Sequence, residues 1–214
     1  MERTGIVLAA LLACGGAAAA FDQALDAQSL AEAIQIGSSR VDDTRSRFHA
    51  PYRVEAAQPP VDYIDVVTPF RRVVLDAEAH TRAGQRLYGQ REAIATLGDA
   101  PSRLDLVVDL TFHPLNNYLG MPEYAVTLVT AAGATITPTA MQRMPRFGPR
   151  LSGALSYPYA TGGAGPQNGE ALSGGMVVAQ FDGRAIDPRG SYTIVIRESG
   201  KDVAKASVNF GRLR

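Results

Sequence analysis

The sequence predicts a mainly β (α+β) protein, an antiparallel β-sandwich with N-terminal helices packed against it. Two observations carry that prediction. Beyond residue 103, apolar residues recur at every second position in short segments bounded by Gly, Pro and Asn, the period of half-buried strands. Before residue 100 they recur mostly at intervals of three and four, the period of helices lying on a core. The chain therefore divides into a targeting segment at 1–20, a helical part with one strand at 21–100, and a sandwich part at 101–214.

The first expected helix starts at Ser29-Leu30-Ala31-Glu32, which has capping-box spacing, and stops at Gly37. Val61 to Val67 reads as a strand ending at Thr68-Pro69, where a cap residue and a proline open a second helix. Phe70, Val73, Val74 and Ala77 then fall on one helical face, and Gly84 closes the segment, so 69–83 is the strongest helical pattern. A further turn or two is expected at 90–97. Leu104, Leu106, Val108, Leu110 and Phe112 alternate with Asp105, Val107, Asp109, Thr111 and His113, a strand with one buried face. Strands are also expected at 124–130, 176–182, 191–198 and 203–210, the last two joined through Ser199-Gly200-Lys201-Asp202 as a hairpin. Residues 141–175, rich in Gly and Pro, read as one long loop. Asp187-Pro188-Arg189-Gly190-Ser191-Tyr192, a turn running into a strand, resembles the late strands of immunoglobulin-like bacterial domains. That resemblance covers about the last forty residues and implies an immunoglobulin-like sandwich without carrying any functional residue.

Cys14 is the only cysteine, and it follows the apolar run Ile6 to Ala13. That run has the length of a signal-peptide core and is far short of the ~20 residues that span a bilayer. Leu11-Leu12-Ala13-Cys14 resembles the bacterial lipobox, although Leu12 is less usual in its slot. The resemblance implies lipidation at Cys14, and Gly15 after it implies the outer membrane, with the domain facing the periplasm or the surface. Ala18-Ala19-Ala20 also fits an ordinary signal-peptidase site, which would release a soluble periplasmic or secreted chain starting at Phe21. An uncleaved anchor is the remaining route. With Cys14 lipidated or removed, the folded part holds no thiol, so disulfides, thiol catalysis and cysteine metal sites are excluded there.

The 21 basic and 21 acidic residues balance overall but not along the chain: 21–139 holds 10 against 15, and 140–214 holds 10 against 5. Docking of the two halves explains this asymmetry more simply than an anionic partner does. A neutral chain without a basic cluster is a poor nucleic-acid binder, so no nucleic acid is expected as a partner. An envelope protein, a peptide or a glycan is expected instead, and the sequence sets no oligomeric state.

No nucleophile elbow is present, and Thr161-Gly162-Gly163-Ala164-Gly165 lacks the lysine and flanking elements of a phosphate loop. No catalytic residue and no cofactor are expected. The paired carboxylates Asp42-Asp43 follow an expected helix end, where solvated or capping roles are commoner than acid/base work. His49 and His113 sit in similar settings, Phe48-His49-Ala50-Pro51 and Phe112-His113-Pro114, and together would make half a zinc site, completed by Asp109 or Asp105. Asp109 and His113 lie too far apart on one strand to share an ion, so packing beside the aromatic is the simpler role for each histidine. The alternative function is thus a metal-binding protein or metal-dependent hydrolase using His49 and His113. The expected function is a non-catalytic binding or structural module. Its candidate binding residues are Arg146, Phe147, Tyr157 and Tyr159, with Arg143 and Arg150 nearby, because arginine and aromatics are the residue types that anchor interfaces.

Overall fold

The structure is a computed structural model, and it describes residues 20–85, 87–114, 116, 118–149 and 170–214. It is mainly β: two antiparallel sheets of five and four strands, with four α-helices. In chain order the elements are α1 (Ala27–Gly37), α2 (Asp42–His49), β1 (Arg53–Gln58), β2 (Val61–Val67), α3 (Pro69–Arg82), α4 (Gln90–Leu97), β3 (Arg103–Thr111), β4 (Tyr124–Thr130), β5 (Thr135–Ile136), β6 (Ala140–Pro149), β7 (Glu170–Asp182), β8 (Ser191–Glu198) and β9 (Lys201–Asn209). The larger sheet has the order β1-β2-β3-β7-β6 and the smaller β5-β4-β8-β9.

Both sheets turn their apolar sides to one core. Leu104, Leu106, Val108 and Leu110 of β3 and Val177, Ala179 and Phe181 of β7 are buried with Val126 and Leu128 of β4 and Ile194 and Ile196 of β8. A second cluster lies among the helices, with Leu30 and Ala33 of α1, Phe70, Val73 and Val74 of α3, and Ala93 and Leu97 of α4. Phe48 packs on both clusters and links them.

The elements run close to the expected bounds where periodicity is strong, and they depart where another force decides. The α1 cap is Asp26, whose carboxylate accepts the Ser29 N–H at 2.7 Å, so the helix starts before the expected capping box. Thr68 caps α3 through its hydroxyl as expected, with Pro69 in the first turn. The β8–β9 connection is tighter than 199–202. Ser199 (φ 48°) and Gly200 (φ 85°) form a two-residue turn with both φ positive, matching the twist of a hairpin.

Two expectations are corrected. The N-terminal part holds two strands, since β1 pairs with β2, and both belong to the sheet of β3 and β7, so the boundary at 100 separates no independent unit. Residues 141–175 are not one loop: β6 and β7 pair from Ala140 with Gln180 to Pro149 with Glu170. Pro145 and three arginine and glycine positions disguise β6 as a loop. The sheet tolerates them because β6 is an edge strand, where only one side must complete the ladder. The basic C-terminal half does engage the acidic half: Arg143 meets Glu123, Arg146 meets Asp109 and Arg214 meets Glu32.

Candidate functional site

The strand directions give the larger sheet two distinct ends. Arg53, Asp65, Asp105 and Gln180 mark one, under the helices; Gln58, Leu110, Gly175 and Phe147 mark the other, where the loops lie.

At the helical end, α2, α3 and the β1–β2 hairpin enclose a cleft of about 540 Å³. The α2 sequence places Asp42, Arg45, Ser46 and His49 at intervals of three and four, so one stripe of the helix lines the cleft. From α3 come Arg71, Glu78 and Arg82, and from the hairpin Arg53, Glu55 and Asp65. Glu78, with a side chain only 6% exposed, is the hub. Its Oε2 lies 3.0 Å from His49 Nε2, and its Oε1 takes Arg82 at 2.5 Å and Arg45 at 3.6 Å. Arg71 runs the other way, to Asp65 at 3.3 Å and to the Val66 carbonyl at 2.8 Å. Its Nε points at His49 Nδ1 at 3.4 Å.

These contacts set the state of His49. An arginine N–H only donates, so Nδ1 is the acceptor and Nε2 carries the proton toward Glu78. Burial holds the imidazole below its ordinary value of 6.5; the Glu78 hydrogen bond opposes this and Arg71 reinforces it. Neither ring nitrogen is left for a metal or a substrate. Beside the cleft, burial pushes Tyr52 up to about 12, and its hydroxyl donates to the Arg214 carbonyl at 2.8 Å.

His113 follows β3 at the opposite end, where its carbonyl accepts the Asn116 backbone N–H at 2.9 Å. Val107 pairs with Asp65, which borders the His49 network, and His113 stands six residues further on, about 20 Å along the strand. Two ligands of one zinc lie within about 4 Å of each other, so His49 and His113 do not share an ion. The carboxylates expected to complete that site are engaged by arginine: Asp105 by Arg72 at 3.1 Å and Arg103 at 3.0 Å, Asp109 by Arg146 at 3.1 Å. Among the described residues no group of three or more His, Cys, Asp or Glu could hold a metal.

At the loop end, Arg146 and Phe147 are neighbours with different roles. Arg146 crosses β7 to reach β3, donating to the Leu110 carbonyl at 2.8 Å and to Thr111 Oγ1 at 3.2 Å. Gly174 makes that crossing possible, since a Cβ there would lie 2.8 Å from the Arg146 guanidinium. Phe147, opposite a bulge at Ser173 of β7, is 53% exposed. The β3–β4 connection adds Leu119, fully exposed, and Tyr118, which packs edge-on against Phe112 at 5.0 Å and donates to Glu198 at 3.3 Å. Tyr157, Tyr159 and Arg150 lie outside the described residues, as does Cys14.

Family models, curated proteins and solved structures were compared with this chain, and none matches. Sequence reasoning singled out His49 but missed Glu78, Arg71 and Asp65. The stripe Asp42, Arg45, Ser46, His49 was the available signal, and it carries no apolar residue to mark it as a helix face.

Proposed function

We propose that this chain is an exported, lipid-anchored binding module with an immunoglobulin-like β-sandwich fold, and that it engages an envelope protein through its loop end. Strand order supports the fold. β2-β3-β7-β6 and β5-β4-β8-β9 follow the A-B-E-D and C′-C-F-G orders of immunoglobulin sheets, with β1 added at the edge. The side chains of both sheets fill a common core, as two stacked sheets require. Tyr192 at the start of β8 accepts the Asp187 N–H on its hydroxyl at 2.8 Å, the arrangement of a tyrosine corner. The chain has no tryptophan, and its single cysteine precedes the domain, so the antibody-type disulfide and its packed tryptophan are missing. Tyr192→Phe is expected to cost about 1 kcal/mol in urea unfolding, the worth of one part-buried hydrogen bond; an unchanged midpoint would count against the corner.

The observation that carries the binding role is the position of exposed Leu119, Tyr118 and Phe147 relative to Phe21. Phe21 is buried at the helical end, 5.7 Å from Phe210, and Gln23 beside it donates to the Gly183 and Ile186 carbonyls. The stretch from Cys14 to Phe21 reaches at most about 25 Å. A lipid on Cys14 therefore holds the helical end near the bilayer and leaves the loop end facing away. Large apolar and aromatic side chains there suit a protein surface better than a glycan, which would call for a groove of polar groups.

Two measurements test this. Intact mass of the membrane-extracted protein is expected to show an acylated chain starting at Cys14; an unmodified soluble chain starting near Phe21 refutes the anchor. A photoreactive residue at Leu119 is expected to crosslink one discrete envelope protein, and the same residue at Gln90 none. Equal yields at both positions would refute the loop end as the binding face.

A further inference from the structure

We infer that α2 is an acid-released latch over the cleft, held shut by neutral His49 bridging Arg71 and Glu78. The first support is how little else holds α2. None of its eight residues is buried, and Val41 supplies no side-chain cap. It is attached to the body through Phe48 against Tyr52 and Phe70, at 5.1 and 5.9 Å between ring centres, through the ion contacts converging on Glu78, and through a small contact with α1. The neighbouring helix is fixed, because Phe70, Val73, Val74 and Ala77 of α3 are fully buried. When the contact between the two helices weakens, α2 is the part that moves.

The second support is the polarity of the His49 contacts. The neutral ring serves both neighbours, accepting from Arg71 on Nδ1 and donating to Glu78 from Nε2. A proton added at Nδ1 sets an N–H against the Arg71 N–H and a positive charge against a buried guanidinium. Every charged group facing the ring bears on the result. Glu78 of α3 and Asp65 of β2 favour the imidazolium; Arg71 of α3 opposes it, as does burial, the largest influence. Around them, Arg82 of α3 and Arg45 of α2 already draw on Glu78, Arg53 of β1 draws on Asp65, and Asp42 and Glu55 stand at the rim.

The sign follows from the direction of that balance. A ring that takes up its proton less readily when docked than when free makes docking fully stable above the free value of 6.5, and docking weakens as pH falls below it. One pH unit below 6.5, linkage limits the weakening to about tenfold. Acid thus frees α2 and opens the cleft beneath it, exposing Asp65, Arg71 and Glu78.

The test is amide hydrogen exchange on the mature chain at pH 7.5 and 5.5, corrected for intrinsic rates, with β8 as internal reference. Protection of the α2 amides relative to β8 is expected to fall about fivefold in acid, and His49→Gln, which can accept and donate but not titrate, is expected to abolish the pH dependence. Equal α2 protection at both pH values, or the same fall in His49→Gln, overturns the proposal. A second measurement stands if that variant fails to fold: NMR titration of the wild-type imidazole is expected to give a midpoint below 6.5, and one above it overturns the latch.

Discussion

Glu78→Ala is expected to lower stability by about 3 kcal/mol, the usual penalty for removing one partner of a buried ion pair. In a domain of this size that is a fall of roughly 10 °C in melting temperature. The cost comes less from the lost attraction than from the groups left behind. The His49 Nε2–H loses its acceptor beneath α2, and Arg45, 14% exposed, is left with Asp42 at the rim as its counter-charge, whereas Arg82, 70% exposed, turns to solvent. Glu78→Gln is expected to fall between wild type and alanine, since its amide oxygen still accepts from His49 while the charge facing two guanidinium groups is gone. Asp42→Ala serves as the control, because Asp42 is 87% exposed and pairs only with Arg45 at the rim, where solvent screens the charge. Its midpoint is expected to match wild type. A Glu78→Ala midpoint equal to that of Asp42→Ala would mean that the Glu78 cluster is an ordinary solvated face.

Legibility of the fold followed how far local pattern and tertiary packing agreed. α3 reads directly from Phe70, Val73, Val74 and Ala77 because those residues are the buried face, and Thr68-Pro69 begins the helix by its own chemistry. β3 reads from its alternation, though Asp105 is buried despite lying on the polar side. The reason is tertiary: α3 covers that end of the sheet and brings Arg72 to the carboxylate. β1, with the sequence Arg-Val-Glu-Ala-Ala-Gln, has one β-branched residue and was invisible; its strand conformation comes from β2, which offers it a ladder. α2 was hidden for the opposite reason, since a helix with no buried residue has no apolar period to detect.

The candidate site was legible only in fragments. His49 stood out by rarity, being one of three histidines, yet its partners lie 22 and 29 residues away at Arg71 and Glu78. No local spacing encodes that meeting; the turn from α2 into β1 and the return of the chain through β2 into α3 produce it. Pairing His49 with His113 by similar context failed because β3 carries His113 to the far end of the sheet. Arg146 and Phe147 are neighbours in the chain, but sequence could not separate the arginine tied to Leu110 and Asp109 from the exposed phenylalanine.

Gly37→Ala sets two forces of opposite sign against each other, and packing is expected to win by about 2 kcal/mol. Gly37 is the last residue of α1, and alanine there would gain roughly 0.5–1 kcal/mol from the lower flexibility of the unfolded chain. Against this, a Cβ would lie 2.4 Å from the Val74 carbonyl oxygen and 2.7 Å from the Ala77 Cβ. Neither neighbour can turn aside, since one is helix backbone and the other a methyl group fixed to it. α1 would have to back away, loosening Leu30 and Ala33 from Phe70, Val73 and Val74, and overpacking of this kind costs 1–3 kcal/mol and sometimes more. The sign is therefore informative in itself. Urea unfolding is expected to show destabilisation with an unchanged slope, and because Glu78 N is the next atom in the clash, at 3.1 Å, α2 protection should fall with it. A Gly37→Ala protein more stable than wild type would mean that α1 rides loosely on α3, and the helical cluster would then not be the rigid wall against which α2 closes.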